Sequence, residues 1–224
     1  MIRLCVFDMD GLLLDSERIL YLQSGLEASE KVGRPLSRDF LCTLMGGSWT
    51  SYEEKVKAAY GQDYPLEEFW QAYWERNYRI INEETIPLRP GVREVLDYCR
   101  QQKISMAVAT SSSQAVTQRC LEHSGIREYF DYLMCADMVA HTKPDPEIFL
   151  KAIGHFNVPL KEALVLEDGH NGAQAAINGG CRFVLVEDLA FLSKEDKDKA
   201  ELVTDDIRTV IDWLRRENEG TAGV

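Results

Sequence analysis

Asp8 and Asp10, separated by one residue and placed directly after the apolar run Leu4 to Phe7, are the pair whose types and spacing most suggest chemistry. Three more groups of the same kind recur along the chain. The run Ile104 to Ala109 delivers Thr110-Ser111-Ser112-Ser113, and Ala163 to Leu166 delivers Glu167-Asp168-Gly169. Lys143-Pro144 follows the weaker run Tyr132 to Cys135 after a short loop. Gathered on one edge, these carboxylates would repel one another unless a cation neutralised them. An all-oxygen set with no His or Cys suits Mg²⁺. Hydroxyls and a lysine on the same edge would complement a dianionic phosphate as donors and counter-charge. An aspartate beside that phosphate can attack phosphorus to form an aspartyl phosphate. A second carboxyl two residues on can protonate the leaving oxygen and later deprotonate water.

The elements that must gather these residues are also readable. Each apolar run is short, lacks alternation and is followed by polar or Gly-containing residues and then a helical pattern. That is the pattern of βαβ units around a buried parallel sheet, with Phe183 to Val186 as a further strand. In such a sheet, ligands bind beyond the carboxyl ends of the strands, where every group named above would lie. Ser113 opens a helix ending before Gly125, and Pro146 opens another reaching Ile153. The stretch from Ser16 to Leu88 differs, showing helical periodicity (Leu20 to Lys31, Leu66 to Ile81) and just over half of the aromatic residues. It reads as a helical insertion after the first strand. The predicted architecture is α/β: a Rossmann-like core of residues 1–15 and 89–224 with a central parallel sheet flanked by helices, and a small all-helical unit of residues 16–88. At roughly 150 residues per domain, the 224 residues amount to about one and a half domains, in keeping with that division. Ser193 to Glu201 reads as a solvated turn or short helix, and the tail from Glu217 as frayed.

With 37 acidic and 25 basic residues the net charge is −12, which argues against a phosphate-backbone partner; no nucleic acid is expected. No apolar run is long enough to span a membrane, and the four apolar residues between Arg3 and Asp8 are too few for a signal peptide. The six cysteines form no C-x-x-C pair and read as free thiols of a reducing, cytoplasmic setting. A monomer is the default expectation.

Phe7-Asp8-Met9-Asp10-Gly11-Leu12-Leu13-Leu14-Asp15-Ser16 resembles motif I of the haloacid dehalogenase superfamily of phosphohydrolases. Met106 to Thr110 is similar to motif II, Lys143-Pro144-Asp145-Pro146 to motif III, and Leu166-Glu167-Asp168-Gly169 with Asn171-Gly172 to motif IV. All four occur in order, and the helical insertion lies where the family's C1 cap lies. The resemblance implies Asp8 as nucleophile and Asp10 as general acid and base. It implies Mg²⁺ held by the Asp8 side chain, the Asp10 carbonyl, Glu167 and Asp168. Thr110 and the Ser111 amide would bind phosphoryl oxygens, and Lys143 would bridge nucleophile and phosphate. Within the cap, the loop Gly46-Gly47-Ser48-Trp49 is the expected lining of the substrate pocket, through Gly46 and Trp49.

The Glu-Asp pair of motif IV resembles the subgroup of β-phosphoglucomutase and small sugar-phosphate phosphatases. That mutase carries a cap histidine and a cap-loop arginine, where this chain has Leu20 and Trp49. The expected activity is therefore hydrolysis of a small phosphate ester, a sugar or polyol phosphate, with a β-phosphoglucomutase-like phosphotransferase as the alternative. A receiver-like phospho-acceptor would take about half this length and no cap, and a silent binding module would not need the full residue set. Bland readings stand beside these. Asp8 and Asp10 could form an Asx turn, Thr110 to Ser113 could cap a helix, and Glu167 and Asp168 could do the same. His170 reads as a solvent-facing first-turn residue. Phe69, Trp70, Tyr73 and Trp74 read as cap core, and Arg18, Arg76 and Arg79 as solvated surface charges.

Overall fold

A computed structural model describes residues 1–45 and 49–220, with residues 49 and 50 described by backbone alone. Six strands form one all-parallel sheet: β1 (Leu4–Phe7), β2 (Ser105–Ala109), β3 (Tyr132–Met134), β4 (Ala163–Glu167), β5 (Arg182–Val186) and β6 (Leu202–Thr204), in the order β3-β2-β1-β4-β5-β6. β1 is central, with Leu4 opposite Ser105 on one side and Ala163 on the other. Because side chains alternate along a strand, the sheet divides its apolar residues between two layers. Cys5, Phe7, Met106, Val108, Leu164 and Leu166 pack under α5 (Val92–Gln101) and α10 (Thr209–Glu219). Leu4, Val6, Ala107, Ala109, Val165 and Phe183 pack under α7 (Glu147–His155) and α8 (His170–Asn178). α6 (Gln114–His123) and α9 (Lys194–Lys199) complete the core helices.

Between β1 and α5 the described chain forms helices joined by loops, with no strand. A π-helical turn (Glu17–Gln23) runs into α1 (Ser24–Lys31), followed by α2 (Arg38–Cys42), α3 (Trp49–Tyr60) and α4 (Leu66–Glu83). These helices bury a separate cluster that includes Leu22, Leu41, Val56, Phe69 and Tyr73. Trp74 departs from the expected cap core, being 49% exposed, because its position on α4 faces away from that cluster.

The two connections between cap and core run side by side. Asp15 N–H donates to Pro87 carbonyl at 2.9 Å and Arg89 N–H to Leu13 carbonyl at 2.9 Å. One acid from the loop after β5 joins both: Asp188 accepts from Arg18 at 2.6 and 2.7 Å and pairs with Arg89 at 2.8 Å. Arg18 is thus a tie between cap and core, not a solvated charge. Arg76 likewise turns inward, its side chain 13% exposed, donating to Ile19 carbonyl at 2.8 Å and Ser24 Oγ at 2.7 Å. Arg79 remains at the surface beside Glu84.

Two elements were not expected. β6 and α10 extend the sheet and cover it, and the helix continues through Glu217, which pairs with Arg182 at 2.8 Å. Asn218 Oδ1 accepts from Ile2 N–H at 2.6 Å. Glu217 and Asn218 are therefore anchored rather than frayed. Among the described residues no helix is long and apolar enough to cross a membrane.

Candidate active site

The carboxyl ends of the three central strands place the motif residues in one cleft of about 300 Å³. β1 ends at Phe7, and Asp8 N–H donates to Leu166 carbonyl at 3.0 Å, extending the pairing with β4 by one residue. β2 ends at Ala109, and Thr110 N–H donates to Met134 carbonyl at 3.0 Å. The backbone ladder thus fixes Asp8 and Thr110 just past the sheet, and Glu167 is the last residue of β4. Gly11, at φ +87°, turns the chain away from β1, and a Cβ there would lie 2.2 Å from Asp168 Oδ2. Both the turn and the close approach of that carboxylate require glycine.

Lys143 reaches the centre of the cluster. Its ammonium donates to Asp8 Oδ1 and, at 2.6 Å, to Glu167 Oε1, with its side chain only 6% exposed. Glu167 Oε2 accepts from the backbone N–H groups of Asp168 at 2.9 Å and Gly169 at 3.1 Å. Gly172 on α8 permits this posture, since a Cβ there would overlap Glu167 Oε1. Asp10 takes a different direction. Its Oδ2 accepts from Ser112 Oγ at 2.8 Å and sits 3.4 Å from Thr110 Oγ1, while Ser112 N–H donates to Thr110 Oγ1 at 3.1 Å. Ser111 lines the cleft and is exposed.

Electrostatics follow from this crowding. Burial pushes the Asp8 carboxyl above the ordinary carboxylate range, with Glu167 and Asp10 adding to the rise and Lys143 opposing it. Asp168 rises for the same reasons, burial first and then Glu167 and Asp8. Burial disfavours the charge on Lys143, but Asp8 and Glu167 outweigh that and hold it above an ordinary lysine. Ligand oxygens of Asp8, Glu167 and Asp168 lie within 4.8 Å of one another, and Asp168 Oδ2 is buried without a hydrogen-bond partner. Three buried carboxylates facing one ammonium, with one oxygen unpaired, fit a divalent cation with oxygen preference.

The expected residues Asp8, Asp10, Thr110, Ser111, Lys143, Glu167 and Asp168 therefore share the cleft. Gly46 lies outside the described residues, as does the Trp49 side chain; among the described residues Glu17 and Met45 of the helical insertion line the cleft. Two participants, Ser112 and Glu17, are not singled out by the sequence. Ser112 was visible only as one hydroxyl in a run of four. Glu17 follows the motif I segment by one residue, and His170, in the first turn of α8 and 41% exposed as expected, also lines the cleft.

Glu17 Oε2 is buried without a hydrogen-bond partner. Burial, with Asp188 and Asp10 nearby, pushes this carboxyl from 4.5 up to about 7, against the opposing pull of Arg18 and Arg89. Below pH 4.5 folded and unfolded chains both hold the proton; between 4.5 and about 7 only the folded chain does, so stability falls as pH rises through that window. The loss at pH 8 is at most about 3 kcal/mol. Glu17→Gln is accordingly expected to raise the melting temperature in EDTA by several degrees at pH 8. The gain should largely vanish at pH 4.5; an equal gain at both pH values would remove the charge as its cause.

Residues 5–186 match the family model described as haloacid dehalogenase-like hydrolase. The chain belongs to the haloacid dehalogenase-like hydrolases, and it is an enzyme of the phosphatase type. Among its relatives, the phosphorylated carbohydrates phosphatase of Thermotoga maritima is 33% identical over 78% of this chain and 80% of that protein. Hexitol phosphatase B of Escherichia coli strain K12 is 30% identical over 81% and 82%. Among solved structures, the β-phosphoglucomutase of Clostridium difficile superposes with a TM-score of 0.70 at 25% identity, covering 99% of this chain and all of that one (100%).

Proposed function

We propose that this chain is a Mg²⁺-dependent phosphatase acting on a small sugar or polyol phosphate through a phosphorylated Asp8. The observation that carries this reading is the convergence of Asp8, Lys143, Glu167 and Asp168 at adjacent strand ends, with Thr110 and Asp10 beside them. Asp8, Glu167 and Asp168, with the Asp10 carbonyl, would hold the ion. Bound there, Mg²⁺ would neutralise the carboxylates and draw negative charge from the phosphoryl oxygens.

The chain's own residues account for the remaining steps. Lys143, fixed by Asp8 and Glu167, supplies positive charge where the phosphoryl group must approach the nucleophile. Thr110 and Ser111 donate to phosphoryl oxygens at the end of β2. An Asp8 carboxylate oxygen attacks phosphorus as the ester P–O bond breaks, and Asp10 gives its proton to the departing alkoxide. Asp10 then takes a proton from water as that water attacks phosphorus, which returns Asp8 to a carboxylate and releases inorganic phosphate. The Ser112 hydroxyl holds Asp10 at the β2 side, ready for both transfers.

Residues 16–88 form the cap in this reading, and a cleft of about 300 Å³ suits a small substrate. The named relatives act on phosphorylated carbohydrates and hexitols, which supports the substrate class. A β-phosphoglucomutase-like phosphotransferase is the second reading, supported by the likeness to that enzyme's structure. Leu20 and Trp49 at the places of the mutase's cap residues favour hydrolysis. The six cysteines are all free thiols, in keeping with a cytoplasmic protein.

The test is phosphate release from a panel of sugar, polyol and nucleotide monophosphates. Turnover of sugar or polyol esters with Mg²⁺, abolished by EDTA, is the expected result. Silence across the panel combined with isomerisation of β-glucose 1-phosphate would favour the mutase instead.

A further inference from the structure

His170, the first residue of α8, stands at the rim of the cleft with Phe191 and Ala190. Its Nδ1 lies 2.6 Å from Asp196 Oδ2, and the Asp196 side chain is fully buried (0% exposed). Asp196 is held from two further directions, Oδ2 accepting from Ser193 N–H at 2.7 Å and Oδ1 from Gln174 Nε2 at 2.7 Å. Surrounded by donors and offering none, it acts as an acceptor, so the proton between the two residues sits on His170 Nδ1. That leaves the opposite ring nitrogen, Nε2, without a hydrogen-bond partner among the described residues, on a side chain 41% exposed. The ring is fixed further by edge contact with Phe191 at 5.8 Å between centroids.

We infer that His170, oriented by Asp196, is a specificity-determining residue that hydrogen-bonds a hydroxyl of the leaving group. A hydroxyl is the partner that fits, because it can donate to a neutral Nε2 or accept from a protonated one. The phosphoryl end of the cleft is already supplied with donors by Lys143, Thr110 and Ser111, so His170 at the rim serves the part of the substrate that departs. Asp196 is a positioning residue in this scheme. The inference rests on the phosphatase reading and names the residue that recognises the hydroxyls of its sugar or polyol leaving group.

Two replacements separate a binding role from a structural one. In His170→Asn the amide nitrogen takes the place of Nδ1 and keeps the bond to Asp196, but nothing reaches the Nε2 position. In His170→Gln the longer amide reaches that position. With sorbitol 6-phosphate and Mg²⁺, His170→Asn is expected to raise KM about tenfold with kcat changed much less. The inhibition constant of inorganic phosphate and the melting temperature should hold. His170→Gln should recover part of the KM, and Asp196→Asn should raise KM in the same selective way. An unchanged KM, or a KM that moves together with phosphate inhibition and melting temperature, overturns the inference. So does wild-type enzyme that hydrolyses n-hexyl phosphate but not sorbitol 6-phosphate, while leaving the phosphatase reading intact. Silence on both esters and across the sugar, polyol and nucleotide panel ends that reading, and the inference with it.

Discussion

Asp8→Asn is expected to lower phosphate release by at least about 10⁴-fold while leaving the fold intact. The amide matches the carboxylate in size, but its carbonyl oxygen is a poor nucleophile and cannot form the acyl phosphate. Folding should not suffer, since Asp8 is one of several carboxyl groups competing for Lys143 and its removal lowers the repulsion at the centre of the cleft. The variant should therefore melt at or above the wild-type temperature in EDTA. Single-turnover measurements with ³²P-labelled substrate check the chemistry directly. Label should be trapped on the wild-type chain by acid quench and be absent from Asp8→Asn. Residual activity within about tenfold of wild type would mean that water attacks the ester without the covalent step.

Lys143→Met carries the opposite combination, a loss of stability together with a loss of rate. The methionine fills similar space, but Asp8 and Glu167 lose the ammonium that both contact while remaining buried. Breaking a buried pair from one side costs about 3–5 kcal/mol. Acids whose folded pKa is raised contribute stability that is lost as pH rises, so the deficit should be deepest at pH 8 and shrink towards pH 5 as the carboxyls take up protons. Millimolar Mg²⁺ should also recover part of it. kcat should fall about 10²–10³-fold even with Mg²⁺ present, the size expected for losing one preorganised positive donor. Urea denaturation at both pH values, with and without Mg²⁺, measures the first effect. A variant as stable as wild type in EDTA at pH 8 would show that the cluster relaxes without its lysine.

Much of the site was legible because it lies where strands end. An apolar run such as Ala163 to Leu166 has to be a strand, and the polar residues next in line have to emerge at its carboxyl edge. What sequence could not supply was direction. Thr110 to Ser113 offer four hydroxyls, and only the fold shows Ser112 turned to Asp10 while Ser111 stays exposed. His170 is as exposed as its sequence suggests, but its pairing with Asp196 was not legible, because that partner lies 26 residues along in a highly charged segment. Arg18 and Arg76 were misread for a similar reason: long side chains on helices are usually solvated, and their partners come from other elements. β6 escaped because it is a three-residue edge strand whose side chains are only half-buried, giving no apolar run to detect.

The position of β1 in the sheet has a consequence for how the protein is made. Its partners begin at Ser105 and Ala163, so the earliest strand in the chain stays unpaired until residues far beyond it have been synthesised. At ribosomal speeds of about 5–20 residues per second, the wait for β4 is roughly 8–32 s. The helices of residues 17–83 need only local contacts and can form during that interval. Leu4-Cys5-Val6-Phe7 is thus an apolar strand that keeps one edge unpaired until β4 has been made. The residue proposed to attack phosphorus is carried on the strand that waits longest for its neighbours.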